Sequence, residues 1–177
     1  AEPYGATQMA IAGIELALWD IAGKAAGVPV HKLMGGPHRT EQRVYWSHLA
    51  TYRPNNYELL GVKPLRTMAD LARAAEECPK AGYNAFKTNI VWPGNPARGI
   101  GMGTVGTHDQ IATRDIRKQA VAQIKTMREA VGPDIDILLD INVNFKPNEA
   151  ELLARELEPY GLFCLEIDNQ SPEALRQ

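Results

Sequence analysis

Two carboxylates each end a short apolar run of the sequence. Asp140 follows the run ILL at residues 137–139, and Glu166 follows the run LFCL at residues 162–165. Short apolar runs bounded by turn residues are typical of buried parallel strands. Parallel α/β folds keep their chemistry at the C-terminal ends of the strands, so both carboxylates are expected at one rim. Oxygen ligands of this kind suit Mg²⁺, with Mn²⁺ as the alternative, and Asp140 and Glu166 are the predicted metal ligands.

The spacing of the two carboxylates corresponds to one strand-helix-strand repeat, which places them on neighbouring strands. Asn142 lies two residues beyond Asp140 and therefore points to the same face, where it could offer a neutral oxygen or bind substrate. The alternative is that each carboxylate is solvated or caps the following helix. The occurrence of two carboxylates in equivalent places favours the metal site.

Lys87 and Asn89 lie two residues apart in another apolar segment and share one face of a predicted strand. A lysine inside a buried strand must be paired or change its pKa, so Lys87 is predicted to be an electrostatic group or a proton carrier. The alternative is a rim lysine whose ammonium reaches water. His48 lies in an earlier predicted strand and could face either the same pocket, where it would bind substrate, or the helices.

These residues need elements to position them, and the hydrophobic periodicity predicts strands and helices in alternation. Strands are predicted at 44–51, 85–91, 136–142 and 162–168, and helices at 7–26, 67–80, 111–131 and 148–160. Four strand-helix units in series imply a parallel sheet, either doubly wound or a TIM barrel. No glycine-rich nucleotide loop follows any of these strands, which favours the barrel. The long connection 92–112 is predicted to be a substrate lid, with a simple insertion as the alternative.

The composition excludes several classes of protein. The 177 residues carry a formal net charge of -2 and a pI near 6.1, which argues against nucleic-acid and membrane-surface binding. No apolar run approaches the ~20 residues of a membrane span, and no signal peptide is visible. The two cysteines do not suggest a disulfide framework, so a cytoplasmic location is predicted.

The glycine-rich loop at residues 35–37 is a predicted domain boundary, which divides the chain into residues 1–37 and 38–177. Both ends of the chain look cut. Ser171 and Pro172 have the residue types of a helix cap and a first helical position, so the sequence is expected to stop within the first turn of a helix. The chain is therefore expected to be a fragment of a longer protein.

Four segments of this sequence resemble the enolase superfamily, specifically the mandelate racemase and muconate lactonizing enzyme group. They are AGIELALWDIAGK at 12–24, PVHKLMGG at 29–36, LDIN at 139–142 and LE at 165–166. The resemblance implies that residues 1–37 are the last helices of an N-terminal capping domain. It also implies that residues 38–177 are about the first four βα units of a TIM-type (β/α)₇β barrel. Asp140 and Glu166 then match the first two metal ligands, and the third would lie beyond Gln177.

The resemblance also implies a reaction. Mg²⁺ binds the carboxylate of a small acid substrate, a base removes the adjacent proton, and the metal stabilises the enediolate that results. A proton next to a carboxylate is so weakly acidic that only concentrated positive charge lowers the barrier. Lys87 and Asn89 would position or polarise the substrate, and the full-length protein is expected to be a homo-oligomer.

The chain departs from the family pattern at Asn89. The family often carries Lys-x-Lys on this strand, with the second lysine as a base, whereas an asparagine takes no proton at neutral pH. The base is then expected on a later strand, and one-base chemistry suits the dehydration of a sugar acid. Two alternatives stay open. One is a racemase, epimerase or cycloisomerase of the same superfamily, and the other is a non-catalytic barrel with a binding or structural role.

Overall fold

The structure is a computed structural model that describes residues 5–100 and 109–168. The chain divides between Arg43 and Val44 into two units, a few residues after the predicted domain boundary, which itself stays a prediction. In the first unit, α1 spans Ala6–Ala26 and α2 spans Val30–Leu33, in agreement with the sequence. Gly27 ends α1 because it adopts a left-handed backbone, φ 66°, that favours glycine. None of the helices in the described ranges is long and apolar enough to cross a membrane.

The second unit is built on a parallel sheet with helices packed against it. Its helices are α3 Arg53–Asn56, α4 Met68–Lys80, α5 Arg114–Val131 and α6 Pro147–Leu157, which continues as a 3₁₀ turn Glu158–Tyr160. Its strands are β1 Ala85–Thr88, β2 Ile90–Trp92, β3 Arg98–Ile100, β4 Asp136–Asp140 and β5 Cys164–Glu166. The parallel sheet has the order β1-β4-β5, and β2 and β3 form a separate antiparallel hairpin.

The core lies between the sheet and helices α4 and α5. Phe86, Ile137 and Leu139 are fully buried from the sheet side, and Leu71 and Ile124 are fully buried on the helices. Burying each such side chain contributes about 1.5–3 kcal/mol. This packing fixes the register of the strands, in which Asp140 of β4 lies opposite Glu166 of β5. The predicted parallel sheet is confirmed.

The predicted strand at 44–51 is wrong in its extent. Only Trp46 forms a parallel bridge, to Phe86, with its N–H donating to the Ala85 carbonyl at 2.9 Å. His48 interrupts the pairing because its φ of 57° is incompatible with an extended strand, although the Leu49 N–H still donates to the Lys87 carbonyl at 2.9 Å. In the folded protein, Trp46 is therefore the residue of the predicted strand 44–51 that forms a bridge to the sheet.

The predicted strand at 85–91 is interrupted at Asn89. Here β1 ends and β2 turns away into the hairpin with β3. The buried side chain of Gln123 on α5 replaces the missing sheet partner. Its amide nitrogen donates to the Asn89 carbonyl at 2.9 Å, and its oxygen accepts the Val91 N–H at 2.7 Å. A local pattern of apolar residues does not reveal this break, because the compensating groups come from a distant helix.

The hairpin also accounts for the first part of the long connection 92–112. The central residues of that connection, 101–108, and the predicted helix start at 171–172 lie outside the described residues. The lid therefore stays a prediction.

A capping box begins α4. The Asp70 carboxylate accepts the Thr67 N–H at 2.8 Å, and the Thr67 hydroxyl accepts the Asp70 N–H at 3.3 Å. Burial of Asp70 opposes its ionisation, but hydrogen bonds from the Arg66 N–H, Arg73 and Thr67 outweigh burial and lower the pKa of Asp70 to about 2. The ionised form of Asp70 therefore stabilises the folded state.

Replacing Asp70 by asparagine is expected to lower the free energy of unfolding by about 1 kcal/mol at neutral pH, the usual size of a lost cap interaction. Because the pKa of Asp70 is depressed in the folded state, its stabilisation is complete above the unfolded value near 3.9 and disappears as the pH falls towards 2. Urea unfolding of wild type and D70N across this pH range measures the difference. A difference that stays constant with pH contradicts the assignment, and D134N, an exposed aspartate elsewhere, is the control.

Candidate metal and substrate site

A cavity of about 550 Å³ lies at the C-terminal ends of the parallel strands. Its lining contains every residue that the sequence predicts for the site: His48, Lys87, Asn89, Asp140, Asn142 and Glu166. The parallel register explains this convergence, since the last residues of β4 and β5 are direct neighbours across the sheet. The structure therefore brings the predicted residues together, while their roles stay predictions.

Lys87 lies between the two predicted metal ligands. Its Nζ atom is 2.7 Å from Glu166 Oε2 and 3.2 Å from Asp140 Oδ2. The Lys87 and Asp140 side chains are buried, whereas the Glu166 side chain is 35% exposed. Burial opposes the charge of Lys87, but the hydrogen bonds to Glu166 and Asp140 outweigh it and raise the pKa of Lys87 above its ordinary value. Lys87 is thus a buried, paired cation rather than a rim lysine that reaches water.

Asp140 is held in one orientation by Asn142. The backbone N–H and the side-chain amide of Asn142 both donate to Asp140 Oδ1, each at 2.9 Å. Asn142 reaches both positions because its backbone is left-handed, φ 50°, a conformation that asparagine tolerates better than most residues. With Oδ1 occupied, Oδ2 of Asp140 is the oxygen that faces Lys87.

The donor set fits part of the coordination shell of a hard divalent cation. Asp140 Oδ2 and Glu166 Oε2 lie within 3.2 Å of the same Lys87 nitrogen, so both oxygens are close enough together to contact one cation, which in this structure is the Lys87 ammonium. Carboxylate oxygens are the ligands that Mg²⁺ prefers. Within residues 5–100 and 109–168, no group of three or more histidine, cysteine, aspartate or glutamate side chains forms a metal-binding cluster. The described residues therefore bring the two predicted ligand carboxylates together without forming a complete shell.

Asn89 is buried beneath the cavity and bonded to the protein through its side-chain amide. Its Nδ2 atom donates to the Asp140 carbonyl at 2.7 Å and to Asn142 Oδ1 at 3.1 Å. Its Oδ1 atom accepts the Thr51 hydroxyl at 2.8 Å. These contacts connect Asn89 to the end of β4 and to Asn142 rather than leaving its amide directed at a ligand.

His48 lines the cavity from the loop that follows the Trp46 bridge. Its Nδ1 atom is 2.7 Å from the Ser47 hydroxyl, and its ring stacks on Tyr52 with 4.9 Å between ring centroids. The loop is held against α4 by Arg53, whose buried guanidinium forms two hydrogen bonds to Glu77 at 2.9 and 2.7 Å. The hydrogen bonds from Arg53, opposed by burial, lower the pKa of Glu77. Arg53 therefore fixes the position from which His48 contacts the cavity.

The cavity also contains residues that the sequence did not single out: Thr51, Tyr52, Pro54, Asn55, Val91, Gly99, Ile100 and Asp168. Asp168 could have been recognised, because it lies two residues beyond Glu166 just as Asn142 lies two residues beyond Asp140. Its N–H donates to the Asn142 carbonyl at 3.1 Å. No local signal marks Thr51, which reaches the site only through the fold of its loop.

Known proteins are similar to this chain in both sequence and fold. Residues 69–168 match the family described as enolase C-terminal domain-like, and residues 3–35 match the mandelate racemase/muconate lactonizing enzyme N-terminal domain. A D-galactonate dehydratase family member from Catenulispora acidiphila is 34% identical over 93% of this chain and 36% of its own length. A D-galactonate dehydratase from Klebsiella pneumoniae is 37% identical over 89% of this chain and 34% of its own length.

A solved structure from Burkholderia xenovorans superposes with a TM-score of 0.82 at 34% identity. The match covers 92% of this chain and 41% of the Burkholderia xenovorans chain. That protein is provisionally named an L-alanine-DL-glutamate epimerase, and its structure is bound to magnesium and fumarate. This chain spans little more than a third of the length of the two D-galactonate dehydratase relatives. Because family matches cover both ends of the described chain and more than half of its residues, it belongs to the mandelate racemase/muconate lactonizing enzyme group of the enolase superfamily.

Proposed function

We propose that this chain carries part of the active site of a Mg²⁺-dependent lyase that dehydrates a sugar acid, with Mn²⁺ as an alternative ion. The observation that carries the proposal is the convergence of Asp140 and Glu166 on one cation position at neighbouring strand ends. The relatives named as D-galactonate dehydratases support the substrate class and the reaction. Asp140 and Glu166 are the proposed metal ligands.

The proposed roles of the other residues follow from their charge and position. A divalent ion held by Asp140 and Glu166 would supply positive charge beside the substrate carboxylate, which acidifies the neighbouring C–H bond. When the ion displaces Lys87 from the two carboxylate oxygens, its ammonium stays a positive charge at the same end of the cavity and attracts the carboxylate of the substrate. His48 lines the cavity, where it binds and orients the hydroxyl-bearing part of the substrate. Asn142, predicted to bind substrate, also lines the cavity, but its amide is bonded to Asp140 and Asn89, so its proposed role is to hold Asp140.

The same proposal includes the architecture. The Trp46 bridge, β1, β4 and β5 are neighbours in the sheet in the order in which they occur along the chain. In this sheet each new strand is added to the same edge, and helices lie between the strands along the chain. This order favours the first strands of a (β/α)₇β barrel, because the strand order of a doubly wound sheet reverses. The residues before the boundary at 37 would then belong to the capping domain.

Epimerisation or racemisation is the second candidate function. It is favoured by the Burkholderia xenovorans structure, whose name denotes an epimerase. It is disfavoured by Asn89, because an epimerase needs a base on each face of the substrate and asparagine does not accept a proton at neutral pH. The same neighbour is bound to magnesium, so the cation does not distinguish the two candidates.

Product analysis separates the candidates. The protein as encoded by its gene is incubated with MgCl₂ in deuterated water and, one at a time, with D-galactonate, D-mannonate and D-xylonate. We expect a 2-keto-3-deoxy acid from at least one of them, detected by mass spectrometry. Deuterium at the α-carbon of recovered substrate without loss of water supports the epimerase instead. If magnesium binds but no acid of a wider panel reacts, the dehydratase proposal is wrong and a binding role is favoured.

A further inference from the structure

Asn89 occupies a cavity-lining position, yet its polar atoms are engaged within the protein. Asn89 is 1% exposed, and both its amide nitrogen and its amide oxygen form hydrogen bonds to protein atoms. A residue that polarises a substrate needs at least one free donor directed at the ligand. The geometry of Asn89 is instead that of a residue that orients its neighbours.

The hydrogen bonds around Asn89 run in one direction. The Thr51 hydroxyl accepts the Asn89 backbone N–H at 3.1 Å, so its own proton is available for Asn89 Oδ1 at 2.8 Å. The backbone carbonyl of Asp140 can only accept, so the atom of Asn89 that faces it at 2.7 Å must be the nitrogen. The orientation of the Asn89 amide is therefore fixed from both sides.

The chain of hydrogen bonds continues to the metal ligand. Asn89 Nδ2 donates to Asn142 Oδ1 at 3.1 Å, which turns the Asn142 nitrogen towards Asp140 Oδ1 at 2.9 Å. The series Thr51, Asn89, Asn142 and Asp140 thus forms a relay of aligned dipoles that ends on one oxygen of the carboxylate. Such alignment strengthens each bond between buried groups, and Asn89, Asn142 and Asp140 are all buried.

We propose that Thr51 and Asn89 are positioning residues that fix the Asp140 carboxylate with Oδ2 directed at the cation position. This inference rests on the proposed metal site and adds two residues to it, neither of which touches the ion. Asn89 therefore orients a metal ligand, whereas a lysine at this position in the family acts as a base. Groups that hold a metal ligand by hydrogen bonds commonly change metal affinity by 10–100-fold when they are removed, about the range expected here.

The test compares two substitutions of Thr51 in the protein as encoded by its gene. T51V removes the hydroxyl and keeps the shape of the side chain, whereas T51S keeps the hydroxyl. We expect the dissociation constant for Mg²⁺, measured by calorimetry well below the unfolding temperature, to rise about tenfold or more in T51V and to stay close to wild type in T51S. N89A is expected to weaken Mg²⁺ binding at least as much as T51V.

Thr88 supplies the matched control. It is a buried threonine on the strand that precedes Asn89, and its hydroxyl donates to the Asn89 carbonyl at 3.1 Å, outside the relay. That carbonyl also accepts Gln123, so T88V leaves it satisfied. T88V is expected to lower thermal stability without changing Mg²⁺ affinity. If Thr51 had a merely structural role, T51V would show this same result.

The outcomes separate the inference from the proposed function. Equal Mg²⁺ affinity in T51V, T51S and wild type overturns the positioning role while the metal site stands. Absence of Mg²⁺ binding in wild type overturns the metal site and the positioning role together. If N89A does not fold, T51V and T51S still test the positioning role. Thermal unfolding in EDTA shows, before calorimetry, whether each of these two variants is folded.

Discussion

Replacing Asp140 by asparagine is expected to weaken Mg²⁺ binding by more than about 100-fold, beyond the 10–100-fold typical of groups that only support a ligand. The substitution removes a negative charge from a buried position where Asp140 Oδ2 shares one cation position with Glu166 Oε2. It also leaves the Lys87 ammonium with a single carboxylate partner, which adds repulsion towards an arriving divalent ion. Dehydratase turnover is expected to be lost with the metal.

Asp136 provides the control for this substitution. It begins β4, the strand that Asp140 ends, so D136N makes the same chemical change at the opposite end of the same strand. Calorimetric titration with MgCl₂ is expected to show unchanged affinity in D136N and a large loss in D140N. Equal affinities in D140N and wild type would show that Asp140 is not a ligand, and the mechanism through that site would have to be abandoned.

Replacing Lys87 by methionine is expected to change Mg²⁺ affinity in the opposite direction. The ammonium contacts the same two carboxylate oxygens that a divalent ion would need, so the two cations compete for them. Two unit charges about 4 Å apart interact by roughly 4 kcal/mol at an effective dielectric constant near 20, so removing the ammonium removes a substantial repulsion. We expect K87M to bind Mg²⁺ about tenfold more tightly, a gain of about 1.4 kcal/mol once lysine displacement is allowed for.

The same substitution is expected to destabilise the protein in EDTA and to abolish turnover. Removing one partner of a buried ion pair costs about 3–5 kcal/mol, and the partial exposure of Glu166 places K87M at the lower end of that range. Saturating MgCl₂ should restore much of this loss, which thermal unfolding with and without the metal measures. Turnover is expected to fail because the carboxylate of the substrate loses its fixed positive partner.

K125M is the control for the Lys87 substitution. Lys125 has an exposed side chain on α5 and only a 3.9 Å contact to Glu129, so its replacement changes the net charge equally without touching the site. K125M is expected to resemble wild type in stability and in Mg²⁺ affinity. Weaker Mg²⁺ binding in K87M than in K125M would show that Lys87 supports the metal site instead of competing for it.

The sequence by itself determined the four long helices, the two strands that end in Asp140 and Glu166, and the position of these carboxylates. The helices follow from a 3.6-residue apolar period with local caps, such as Thr67 with Asp70, and these signals act within a single turn. Asp140 and Glu166 were recognisable because a polar residue that ends a buried strand must lie at the sheet rim. That rule needs only the alternation of strand and helix.

Only the tertiary structure decided how the polar groups are connected. The break at Asn89 depends on Gln123, which is distant in the chain, and the orientation of Asn89 depends on Thr51, which belongs to another loop. Strand propensity does not foresee such partners, because buried backbone and amide groups take whichever donor or acceptor the packing brings within 3 Å or so. For that reason the carboxylates and Lys87 were predictable from their strands, whereas Thr51 was not, nor was the division between residues that face the cation and residues that hold them in place.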